Sequence, residues 1–115
     1  MSKPKATLLK ARIHKDLMPY RNDFWFGMTV FALSGRRPER YAPEDGNLRN
    51  QRTFTRTLNP REEMYFKDVR AAHSGTNIAL IESFLLTVAR HRDPDKFPKR
   101  LPRAIHQEVE VAHDA

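Results

Sequence analysis

Residues 59–92, NPREEMYFKDVRAAHSGTNIALIESFLLTVARHR, set the fold class that the sequence predicts. Asn59 is a good helix N-cap, Pro60 suits the first helical position, and Glu62 stands three residues after the cap. That pattern is a capping box with Asn in place of Ser or Thr, in which cap and carboxylate satisfy each other's backbone N–H groups. Glu62 and Glu63 also lie at the positive end of the helix dipole. Tyr65, Val69 and Ala72 follow at i, i+4 and i+7, which predicts a helix over residues 60–73. Ser74-Gly75-Thr76 ends it, with Gly75 as a left-handed C′ residue and Thr76 as the next cap.

The second helix, 77–92, is the most apolar part of the chain. Ile78, Ile81, Leu85, Val88 and Ala89 form a stripe, and Leu80 and Phe84 widen it. Only Ser83, Thr87 and Arg90 make up the polar arc, so a central, buried helix is expected. Arg90, His91 and Arg92 close it where the dipole favours cations, and Asp93-Pro94 stops it. Two helices joined by a short turn predict an αα-hairpin at the centre of the domain. They do not read as a DNA-reading helix-turn-helix, because a recognition helix offers polar side chains to base edges and this one is apolar.

Working outward, two segments fit two periods each. In residues 7–18, Leu9, Ile13 and Leu17 recur at helical spacing, while Leu9, Ala11 and Ile13 also alternate with Leu8, Lys10 and Arg12 as in a strand. In residues 23–34, Phe24, Trp25, Met28, Phe31 and Ala32 would share a helix face, capped by Asn22 or Asp23 and ended by Gly35. The same aromatic run fits a strand. The helical reading is preferred for both. Residues 51–58 alternate, are rich in Thr, and read as a short strand. Residues 35–50 read as a long loop and residues 102–112 as a short helix opened by Pro102. The expected fold is mostly α, a single domain over 1–115 built on the hairpin, with room for one short strand or β-hairpin. An α+β fold is the alternative.

Composition narrows the function. A chain of 115 residues, 39% hydrophobic and 30% charged, can bury a core without disulfides or metal. It has no cysteine, which excludes thiol catalysis, thiolate zinc sites and iron–sulfur clusters. No apolar run resembles a signal-peptide core or a membrane span, so a cytoplasmic protein without membrane association is expected. The net charge is +7, and it is unevenly placed. Residues 1–61 carry 13 Lys and Arg against five Asp and Glu, and the remainder is close to neutral. That asymmetry predicts a basic working face on a neutral scaffold.

Three basic groups are candidates for that face. Arg36, Arg37, Arg40, Arg49, Arg52 and Arg56 fall within 21 residues, with Tyr41 and Phe54 interleaved. Guanidinium groups bind phosphate bidentately and aromatic rings stack on unpaired bases. The competing reading is a solvated loop paired with Glu39, Glu44 and Asp45. As a strand, the segment would put Arg52 and Arg56 on one face with Phe54. Lys10, Arg12 and Lys15 form the second group, able to lie along a phosphate backbone. Lys99, Arg100 and Arg103, beside Lys96, form the third, next to a predicted helix start. Trp25, among Phe24, Phe26 and Phe31, is either core or an anchor for a protein partner.

No constellation reads as catalytic. The histidines at 14, 73, 91, 106 and 113 lack His-x-x-x-His spacing, and Ser34, Ser74 and Ser83 lack a nucleophile elbow. Glu62-Glu63 is explained by capping, Glu108 and Glu110 by a solvated tail, and four scattered glycines make no phosphate loop. No catalytic residue, metal, cofactor or small-molecule substrate is therefore expected. The expected function is that of a non-enzymatic accessory subunit of a larger nucleoprotein assembly. It would bind RNA or single-stranded DNA in preference to duplex, through the phosphate backbone. The reading from another class is an adaptor or inhibitor, like small phage or plasmid regulators, docking an Arg-rich face on an acidic protein surface.

Overall fold

The computed structural model describes residues 6–43 and 50–98. Strand β1 (Thr7–His14) leads through a 3-10 segment (Lys15–Asp23) into helix α1 (Phe24–Ser34). Strand β2 (Gln51–Leu58), helix α2 (Pro60–Ala72) and helix α3 (Asn77–Arg92) follow. The strands pair antiparallel from Thr7 opposite Leu58 to His14 opposite Gln51. The described fold is α+β, which corrects the expectation of a mostly α domain.

The correction lies in residues 7–18. Leu9, Ala11, Ile13 and Leu17 are all buried, and Leu9 and Ile13 lie inside on either period. Exposed Lys10 and Arg12 between them follow the strand period. What decides the conformation is the backbone, whose strand hydrogen bonds are answered by β2, far away in sequence. At His14 the strand turns into the 3-10 segment. The Nδ1 atom of His14 accepts the Asp16 N–H at 3.1 Å, and the Lys15 N–H donates to the Asn50 carbonyl at 2.7 Å.

Helix α1 forms as expected and ends at Gly35, which takes the left-handed conformation at φ 71°. It lies against α3 with backbone almost touching backbone at Gly27. A Cβ there would sit 2.2 Å from the Phe84 carbonyl oxygen and 2.8 Å from Cγ2 of Val88. Helix α2 carries the predicted capping box: Asn59 accepts the Glu62 N–H at 2.8 Å, and Glu62 accepts the Asn59 N–H at 3.2 Å. It ends at Ala72 with His73 as an extended cap, so Gly75 is not its C′ residue.

The predicted αα-hairpin is also corrected. Helix α2 meets α3 through Phe66, edge-on to Phe84 at 6.2 Å between ring centroids, and does not run along it. The link between them holds His73 and Thr76 in extended conformations. Helix α1 takes the place beside α3. The central position of α3 stands as expected: Leu80, Ile81, Phe84, Leu85 and Val88 are fully buried. Phe24 joins the layers, stacked on Phe54 at 5.9 Å and edge-on to Phe84 at 5.5 Å. No described helix is long and apolar enough to cross a membrane. The helix predicted at 102–112 lies outside the described residues, as do Arg49, Lys99, Arg100 and Arg103.

Candidate nucleic-acid interface

The two-stranded ribbon divides the basic residues between two faces. Side chains alternate along a strand, and directly opposed residues share a face. The register sets Leu8 against Thr57, Lys10 against Thr55 and Arg12 against Thr53. All six are exposed and none is acidic. Arg12 is steadied there by a hydrogen bond from Nη1 to the Thr53 hydroxyl at 3.2 Å. Lys15 and Arg52, at the same end of the ribbon, are exposed as well. The result is a row of two cations and three hydroxyls, the donor types that grip a phosphodiester backbone.

The opposite face takes the other candidates inward. Phe54 is 1% exposed, stacked on Phe24. Its ring packs the core and, where it lies, cannot stack on a base. Arg56 sits over the Phe24 ring at 5.2 Å and pairs with buried Glu62, Nη2 to Oε2 at 2.6 Å. It is a structural arginine rather than a free phosphate contact. The two share a face, as the strand reading expects, but that face is the covered one.

The Arg-rich segment is a strap clamped onto α3. The Glu39 N–H donates to the Ser83 hydroxyl at 2.8 Å and the Tyr41 N–H to Oε1 of Glu82 at 3.1 Å. Arg40 pairs through Nε with the same carboxylate oxygen. Oε2 of Glu82 accepts the His14 N–H at 3.0 Å. Tyr41 is half-buried, edge-on to His14 at 5.1 Å, and its hydroxyl donates to Asp16 at 3.2 Å. Arg37 is exposed and Arg36 half-buried. Trp25 is half-buried, edge-on to Tyr65 at 5.2 Å and under the Arg61 guanidinium at 5.1 Å.

Glu82 was not singled out by sequence reasoning, yet it organises this side of the molecule. The signal was present: one carboxylate stands inside the apolar stripe of a helix expected to be buried. A buried carboxylate needs donors, and here three N–H groups from two distant segments supply them. Among the described residues no three His, Asp or Glu side chains are grouped to hold a metal ion.

No family model, curated protein or solved structure matches this chain. The chemistry of its own surfaces is the guide to function.

Proposed function

We propose that this protein is a non-enzymatic nucleic-acid-binding subunit acting in the cytoplasm within a larger nucleoprotein assembly. It grips the phosphate backbone with the solvent face of its ribbon. Lys10 and Arg12 supply charge, Thr53, Thr55 and Thr57 supply hydroxyl donors, and exposed Lys15, at the end of the ribbon, extends the positive field. The observation that carries the reading is the register, which lines up both cations opposite a threonine row on an acid-free face. With Phe54 inside the core, the reading rests on backbone contact and not on base stacking. The test is fluorescence anisotropy of labelled single-stranded RNA, single-stranded DNA and duplex DNA over a range of salt concentrations. Salt-sensitive binding that the double substitution Lys10→Ala/Arg12→Ala weakens supports the reading. Absence of binding at low salt overturns it.

One observation favours the adaptor reading. Helix α1 exposes Phe26, whose ring is edge-on to His91 of α3, and Leu33, the latter 85% accessible. With half-buried Trp25 nearby, they offer an apolar surface to a protein partner. Competition separates the two readings. Free oligonucleotide displaces a nucleic-acid binder from its assembly and leaves an adaptor in place.

A further inference from the structure

We infer that the cleft between the strap and the C-terminal half of α3 binds a phosphate monoester. This site is separate from the ribbon face and would stand if that face bound nothing. The cleft encloses about 460 Å3, of the size of ordinary small-ligand sites. Glu39, Arg40, Tyr41, Arg90, Lys96 and Phe97 are the lining residues that matter for its chemistry.

Arg90 points to an anion. Its side chain is only 10% exposed, and its Nη2 pairs with Glu39 at 3.2 Å. Its Nε is buried and has no hydrogen-bond partner. A guanidinium stays charged at any ordinary pH and has no acceptor capacity, so an orphaned N–H calls for an oxyanion. Two further cations line the same cleft. Arg40 is held through Nε by buried Glu82 and stays about half exposed. Lys96 stands over the Phe97 ring with Nζ 5.6 Å from its centroid. Glu39, 51% exposed, is the one carboxylate among the described lining residues. It occupies Arg90 as a phosphate oxygen would, and a dianion with two or three oxygens can serve Arg90, Arg40 and Lys96 together.

On the apolar side of the cleft Tyr41 and Phe97 meet with centroids 5.7 Å apart and rings tilted at 47°, Phe97 buried, beside Pro43, Pro98 and Leu86. This wall bounds the cleft but offers no open ring face, so recognition rests on the phosphate. A free nucleotide and the phosphorylated end of a strand carry this same chemistry.

The test is calorimetric titration of the full chain at low salt with adenosine 5′-monophosphate, inorganic phosphate and adenosine. It is paired with oligonucleotides bearing a 5′-phosphate or a 5′-hydroxyl. The monophosphate is expected to bind about tenfold or more tighter than adenosine, as charge-assisted hydrogen bonds to its phosphate require. Lys96→Gln, at an exposed position, should weaken it several-fold without altering the melting temperature, and Glu39→Gln should tighten it by removing the competing carboxylate. A preference for the 5′-phosphorylated oligonucleotide assigns the site to strand ends. Equal oligonucleotide binding beside tight monophosphate binding assigns it to the free nucleotide. Monophosphate binding no tighter than adenosine, or unmoved by both substitutions, overturns the inference. Lys10→Ala/Arg12→Ala distinguishes it from the ribbon reading, since that variant should weaken both oligonucleotides equally and leave the monophosphate untouched.

Discussion

The carboxylate of Glu82 accepts the backbone N–H of His14 at 3.0 Å, across 68 positions of sequence. It ties the end of β1 to the middle of α3. The same carboxylate takes Arg40 and the Tyr41 N–H, so strand, helix and strap meet on one buried group. Removing it strands three donors. Glu82→Ala should lower stability by about 3–5 kcal/mol, the range for breaking a buried charged network. Arg40→Ala should lose less, because Arg40 is half in solvent. Urea denaturation of both variants checks the order, and a loss under about 1 kcal/mol for Glu82→Ala would contradict the network's role.

Gly27 sets the distance between α1 and α3. Alanine is the better helix former by about 1 kcal/mol, so propensity alone predicts stabilisation by Gly27→Ala. Contact predicts the reverse, because the new Cβ meets the Phe84 carbonyl oxygen, a backbone atom. We expect a net loss of about 1–3 kcal/mol from overpacking. Gly35→Ala meets nothing within 4 Å and loses only the left-handed backbone preference, about 1–2 kcal/mol. Thermal melts of the two variants separate crowding from backbone strain.

Arg56 and Glu62 should behave as a coupled pair. Their side chains are 27% and 6% exposed, and Glu62 also holds the cap of α2. A double-mutant cycle with alanine should give a coupling of about 0.5–3 kcal/mol. Additive effects would mean that the two side chains act independently.

The ribbon reading makes a matching prediction about salt. Each phosphate that the protein no longer neutralises lowers the slope of log K against log salt by about 0.7–0.9. Lys10→Ala/Arg12→Ala should therefore flatten it by roughly two such steps with an unchanged melting temperature. Arg56→Ala should leave the slope as it is, since its guanidinium is committed to Glu62.

Tyr20 offers a pH probe. Burial first, then Asp93 and Asp16, raise its phenol above the ordinary value of 10.0. The neutral phenol is the form the fold favours. The stability it contributes is complete below the unfolded value and is lost as pH rises through the raised one. Ultraviolet titration should show one of the three tyrosines ionising late, and Tyr20→Phe should remove that phase. Disappearance of an earlier phase instead would place the shift on another ring.

The helices were legible because their determinants are local. The Asn59–Glu62 capping box, the stop at Gly35, the Thr76 cap and the apolar stripe of 77–92 all act within a few residues. A helix closes its hydrogen bonds four residues away, so its signals stay within reach of a short stretch of sequence. Residues 51–58 were legible as a strand by their alternation. Residues 7–14 were not, because buried Leu9 and Ile13, four residues apart, satisfy either period. Only β2, more than 40 residues on, supplies the backbone partners that settle it.

The candidate site divides the same way. By itself the sequence determined that the first half of the chain is basic and rich in arginine. The tertiary structure alone decided where each cation points. Lys10 and Arg12 face water because no described segment covers that side of the ribbon. Arg56 and Phe54 face inward because Phe24, at the start of α1, and the 3-10 segment lie against the other. Glu82 became an anchor only because the strap and the end of β1 bring N–H donors to it. Charge is a property of composition, but exposure and pairing depend on which distant segments are brought to lie over a residue.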